Sequence, residues 1–262
     1  MIGKESTLLK INRFPLIWLF LMLGSSQVFG QAIVNIEGMR REGDIGFFAN
    51  SAFSLDASRG NRDRDFYSIQ LRFDANSESA ESFLILQQRE RKSNDISIDQ
   101  SKFMHARYVF VGEDKMNWEI FAQYSENPFR NYRKRSVLGG GMRYKVLSTA
   151  RLGAGFMSED ETDLTGQEIT TERMGFYLHT EKEIAENISL NPTAYFQPSI
   201  DDFENDYKAS IILPIVFNVN KNLKITMQLS SFYDSNPPML ADKTDESLST
   251  RFSYDLSDLW KD

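Results

Sequence analysis

The chain has 262 residues with 30 basic and 37 acidic side chains, a net charge of −7, 41% hydrophobic residues and no Cys. The acidic balance argues against a nucleic-acid binder. Without Cys there is neither a disulfide staple nor a lipid-bearing N-terminal Cys, so stability must come from burial and backbone pairing.

Lys4, Lys10 and Arg13 precede an unbroken apolar run, Phe14 to Leu23. That run is too short for a membrane-spanning helix, which needs about 20 residues, and fits the apolar region of a secretory signal peptide. Val28 and Gly30 sit at −3 and −1 of a cleavage site before Gln31. We therefore expect a signal peptide over residues 1–30 and a short periplasmic segment over 31–43. Beyond Gly30 no apolar run reaches 18 residues, which leaves β-strands as the means of crossing a membrane, since these need an apolar surface on one face only.

The remainder alternates. In 44–56, Ile45, Phe47, Ala49, Phe53 and Leu55 share a face opposite Gly46, Asn50, Ser54 and Asp56. In 64–74, Tyr67, Ile69, Leu71 and Phe73 oppose Ser68, Gln70, Arg72 and Asp74. The same two-residue period sets Trp118, Ile120, Ala122 and Tyr124 against Glu119, Phe121 and Gln123. It sets Leu138, Met142, Tyr144 and Val146 against Gly139, Gly141, Arg143 and Lys145. Near the end, Leu223, Ile225, Met227 and Leu229 oppose Lys224, Thr226 and Gln228, and Leu248, Thr250, Phe252, Tyr254 and Leu256 oppose Ser247, Ser249, Arg251, Ser253 and Asp255. Each is a strand with one apolar and one polar face.

Twelve strands follow: 44–56, 64–74, 82–92, 101–112, 117–126, 135–146, 149–158, 171–182, 188–198, 206–218, 223–234 and 246–256. Short connections such as 147–148 and 219–222 alternate with longer, charged or Pro-containing ones such as 93–100, 127–135, 159–170 and 235–245. An even strand count with loops sorted by length is the pattern of an outer-membrane barrel with both termini in the periplasm. The fold class expected is all-β: a transmembrane antiparallel up-and-down barrel over 44–256, its last strand closing on its first, with a tail at 257–262. A soluble periplasmic β-sandwich or lipocalin-like binder is the competing architecture.

"FYDSNPPMLADKTDESLSTRFSYDL" resembles the C-terminal hairpin of an uncharacterised family of salt-induced outer-membrane proteins. "NYRKRSVLGGGMRYKVLSTARLGAGF" resembles that family's central segment, and "IVNIEGMR" a segment that follows its signal peptides. The chain departs from the family in running on as "SDLWKD" past Leu256 instead of ending on an aromatic residue. The resemblance implies a Gram-negative outer-membrane barrel, assembled by the barrel-assembly machinery, with a role under salt or osmotic stress. It carries no catalytic residues.

The residues themselves point to no catalytic constellation. His105 and His179 differ in height along the barrel and do not pair, and the lumen suits both. Glu159, Asp160, Glu161 and Asp163 are Ca²⁺-type ligands, but their spacing fits no EF-hand, and a solvated acidic loop is the expectation. No cofactor or metal is expected.

Two charge groups remain. Arg130, Arg133, Lys134 and Arg135, on an outer loop, are candidates for binding the phosphates of outer-membrane lipid and lipopolysaccharide. Arg72, Arg107, Arg143, Lys145, Arg151, Lys208, Lys224 and Arg251 face inward by strand phase and outnumber the inward acids Asp56, Asp74, Glu119, Glu181 and Asp255. Gly139, Gly141, Gly153 and Gly155 face inward beside them, leaving one wall bare. This lining, with Glu119 and His179, admits two readings: a narrow channel for small anions, because rings of Arg and Lys favour anions, or charges that pair across the lumen and plug it.

Overall fold

The computed structural model describes residues 45–60, 63–112, 115–130, 132–220, 223–237 and 242–254. The expected signal peptide, the segment 31–43 and the tail 257–262 lie outside the described residues.

Fourteen strands form one antiparallel sheet. They are β1 (Gly46–Ser58), β2 (Arg64–Asn76), β3 (Ala80–Ser93), β4 (Ile96–Phe110), β5 (Met116–Asn127), β6 (Tyr132–Leu147), β7 (Ala150–Asp163), β8 (Glu168–Thr180), β9 (Lys182–Ala185), β10 (Ile188–Leu190), β11 (Thr193–Pro198), β12 (Tyr207–Asn218), β13 (Leu223–Asp234) and β14 (Thr244–Tyr254). The one helical element among the described residues is a 3₁₀ turn, Pro128–Arg130. β10 and β11 lie end to end along the same side of β12, and β9 continues β8 past Glu181. The fourteen pieces are therefore twelve crossings, two of them broken. The break has a local cause: Pro192 has no N–H to donate, and its carbonyl instead accepts from Thr180 N at 3.0 Å.

Most strands outrun the apolar pattern at one end. β3 and β4 meet in a two-residue turn, Asn94–Asp95, both with positive φ, the geometry of a tight hairpin turn. The expected long loop 93–100 is thus mostly strand. β7 runs on to Asp163, β8 starts at Glu168, and β6 starts at Tyr132. The long connections on that side reduce to 199–206 and 235–243. Backbone pairing carries these extensions, and cross-strand charges replace apolar packing on them.

The two faces are inverted relative to a soluble protein. Phe47, Leu55, Trp118, Ile120, Leu138, Phe156 and Leu229 are exposed, with Phe156 at 60% of its surface and Leu138 at 68%. The opposite face buries Arg107, Glu119, Arg135, Glu159, Arg173 and Lys208. A soluble sandwich would bury the first set and solvate the second. Side chains on the buried face meet across the curled sheet: Lys208 of β12 is bonded to Glu159 of β7. This is the fold class of transmembrane up-and-down barrels. Among the described residues, β1 pairs with β2 and β14 with β13, and no pairing of β1 with β14 is found.

Candidate functional site: a filled lumen

The strand phase read from the sequence holds throughout β4–β8, and it projects three layers of side chains into the interior.

The layer nearest the 164–167 and 199–206 loops is ionic. Glu159, 2% exposed, sits at its centre. Arg135 of β6 reaches Glu159 at 3.0 Å and is also paired with Glu161. Arg173 of β8 lies 3.1 Å from Glu159 and 2.9 Å from Asp206. Lys208 is bonded to Glu159, with Glu161 at 3.9 Å and Asp234 at 3.8 Å. The Arg135 guanidinium also lies over the Tyr132 ring, 4.4 Å from its centroid. Ion pairs buried this deeply persist only when each charge is answered by several partners, and here one carboxylate answers three cations.

The middle layer is aromatic and apolar. Phe83, Ile85 and Phe103 from β3 and β4 cluster across the interior with Tyr177, Tyr195, Ile212 and Phe232 from β8, β11, β12 and β13. His105 lies among rings, stacked on Phe83, Phe103 and Phe121 at 5.7, 6.3 and 6.0 Å. Its Nδ1 is 3.3 Å from Gln123 Oε1. The glycine wall is covered rather than bare. A Cβ on Gly153 would fall 1.8 Å from the Tyr177 ring, and one on Gly139 would fall 2.6 Å from Phe121. Glycine is required there because rings from neighbouring strands lie flat against the backbone. The cavity left between these layers is about 50 Å³, room for a few waters.

The third layer, toward the chain ends, is ionic again. Arg107 and Glu119 pair at 2.8 Å, with Arg107 over the Phe121 ring at 4.4 Å. Arg72 holds Asp74 in a bidentate pair, Nε donating to Oδ2 at 2.9 Å and Nη2 to Oδ1 at 2.5 Å. Arg151 reaches Glu181 at 3.2 Å. His179 Nδ1 lies 2.8 Å from Thr193 Oγ1, and its Nε2 lies 3.3 Å from Glu181. Hydroxyl, imidazole and carboxylate in series resemble a hydrolytic relay, but Thr193 is 0% exposed. The series instead ties β8 to β11 beside the Pro192 break.

Of the inward candidates, Arg107, Glu119, Arg143, Arg151, His179 and Lys208 are buried inside. Lys145 and Lys224 are exposed at the chain-end rim. Arg251 is in β14 opposite Thr226, and its side chain is outside the description. Arg135 needs a correction: expected on the outer loop facing lipid phosphate, it turns inward to Glu159 and Glu161. The cause is that β6 begins at Tyr132, so Arg135 lies within the strand and in phase with Val137 and Arg143, both buried; the register shift between Tyr132 and Lys134 instead turns the Tyr132 ring inside. Arg133 and Lys134 do face outward and are exposed, whereas the side chain of Arg130 is outside the description. The acids read as a solvated loop divide by face. Glu159 and Glu161 enter the lumen, while Asp160 points out and accepts from Thr170 at 2.6 Å. Among the described residues no group of carboxylates or imidazoles is arranged to hold a metal.

Residues 51–256 match the model of a family described as "Protein of unknown function, DUF481". The chain belongs to this family. No curated protein matches this DUF481 member. Among solved structures it is similar to the NanC porin, at 10% identity over 78% of this chain and 100% of that one, with a TM-score of 0.47. It is also similar to the translocator domain of the autotransporter NalP from Neisseria meningitidis, at 12% identity over 83% and 90%, TM-score 0.47. The KdgM porin matches at 9% identity over 79% and 98%, TM-score 0.42.

Proposed function

We propose that this DUF481 member is a non-enzymatic outer-membrane barrel of a Gram-negative envelope, exported by its N-terminal signal, with both termini in the periplasm and a lumen shut by its own side chains. One observation carries the closed state: the buried cluster in which Glu159 binds Arg135, Arg173 and Lys208. It stands above an aromatic layer that spans from β3 to β13. Inward cations that would form an anion path are instead matched by carboxylates, as Arg107 is by Glu119 and Arg151 by Glu181. Joining of β1 to β14 completes the wall, since unpaired strand edges in hydrocarbon cost several kcal/mol per group.

A second reading is a narrow anion-preferring channel. Lys145 and Lys224, exposed at the periplasmic rim, favour it, because they would draw anions toward the mouth. Planar-bilayer recording of the purified, folded barrel separates the two. The closed state predicts no steady conductance; a stable anion-selective current would overturn it in favour of the channel. The tie to salt or osmotic stress rests on the family resemblance and is tested by the phenotype of a deletion strain in high salt.

A further inference from the structure

The outer wall carries an amphiphilic feature that the lumen reading does not use. Lys102, Glu126 and Lys134 face outward on β4, β5 and β6 at one register level. Lys102 lies 2.9 Å from Glu126, and Lys134 lies 3.2 Å from Glu168. Both ammonium groups are half-exposed, and Arg133 is exposed beside them. Together with Gln100 and Tyr124 they line a groove of about 510 Å³ at the rim that bears the 164–167 loop.

Two register steps toward the chain ends the wall turns apolar. Met104 is opposite Tyr124, and Ala106 is opposite Ala122, which is opposite Leu138. The two alanines leave a recess between larger neighbours, Leu84, Tyr108, Ile120 and Leu138, which is one end of an apolar groove of about 440 Å³ that runs across the wall to Phe73 and Phe47. On β4, β5 and β6, where the two overlap, the cationic groove thus lies above the end of the apolar one, with about 7 Å for each two-residue step along the strands. Tyr124 stands at the seam, with its hydroxyl donating to Glu126 at 2.6 Å.

We infer that this face binds a phosphorylated lipid of the outer leaflet. Its phosphate would sit among Lys102, Arg133 and Lys134, and an acyl chain would lie in the Ala106–Ala122 recess. Charge sets the headgroup: Lys102 and Lys134 are each paired with one carboxylate, and the exposed Arg133 leaves the groove with one positive charge in excess, to which the two lysines add their remaining N–H donors. Charge-assisted bonds from Lys and Arg suit a phosphate oxygen. The recess sets the tail, because a free phosphate has no use for it. The inference rests on the membrane-barrel reading.

The test uses the full-length barrel purified in detergent and native mass spectrometry with an acylated, phosphorylated glucosamine lipid. Comparison probes are the same lipid without its phosphate, and inorganic phosphate. The wild type should retain the phosphorylated lipid about tenfold better than the dephosphorylated one. Lys102→Gln with Lys134→Gln should abolish that preference, and Ala122→Leu should weaken retention of both lipids. Heat-shifted gel mobility of every variant checks that it remains folded. Equal retention of both lipids by the wild type would overturn the site. Displacement by inorganic phosphate at equal concentration would show a free-anion site and overturn the lipid assignment. A wild type that stays in water without detergent would overturn the membrane reading and the site with it.

Discussion

Replacing Glu159 by Gln removes one negative charge from the midst of three buried cations. Breaking a buried ion pair by deleting one partner costs about 3–5 kcal/mol, because the remaining charge is stranded. The geometry places the loss within that range. Arg173 keeps Asp206 at 2.9 Å, and Arg135 keeps Glu161. Lys208 is left with carboxylates only at 3.8 and 3.9 Å. We expect a loss of about 3 kcal/mol, read as a lower urea midpoint for the barrel in lipid vesicles. Adding Lys208→Met should recover most of it, since the stranded ammonium goes with it. A Glu159→Gln barrel within about 0.5 kcal/mol of wild type would refute the claim that this carboxylate holds the layer together.

Leu229→Arg should cost about 2–4 kcal/mol if Leu229 lies near the midplane, while Gln228→Arg, on the opposite face, should be much milder; equal tolerance in refolding yield would show the phase to be wrong. Gly141→Ala would place a methyl 2.4 Å from the Ala154 carbonyl oxygen and 2.7 Å from Gly155 Cα, a backbone clash expected to cost about 1–3 kcal/mol in the same urea titration. Trypsin added to intact cells should cut at Lys243, exposed in the 235–243 connection, and cleavage only after the outer membrane is breached would reverse the topology. Paired cysteines placed along β1 and β14 should cross-link within one molecule in a single register, whereas cross-links only between molecules would mean an open wall.

The strand order and the inward–outward phase were legible because the hydrocarbon-facing residues must be apolar at every second position. Leu138, Leu152, Phe156 and Leu178 report that constraint directly. The rule lapses where strands leave the apolar band. That is why the extension of β7 through Glu159 and Glu161 read as an acidic loop, although carrying the phase of Met157 forward by two and four places puts both carboxylates inside. Arg173 was reachable in the same way from Tyr177. Arg135 follows likewise from Arg143 and Gly139, whereas the burial of Tyr132 was hidden, because it depends on a register shift between Tyr132 and Lys134 that periodicity does not encode. Covering of the glycines was equally hidden: Gly139 and Gly153 announce a wall without side chains, but the rings that fill it come from Phe121 and Tyr177 on other strands.

The central claim, an apolar face turned to lipid and a charged face turned to a closed interior, can be measured directly because the chain has no Cys of its own. Single cysteines introduced at 137, 138, 156, 157, 177 and 178 would carry a fluorophore, and quenching by brominated lipid would be recorded in vesicles. The structure predicts strong quenching at 138, 156 and 178 and little at 137, 157 and 177. The opposite alternation, or equal quenching at all six, would contradict it.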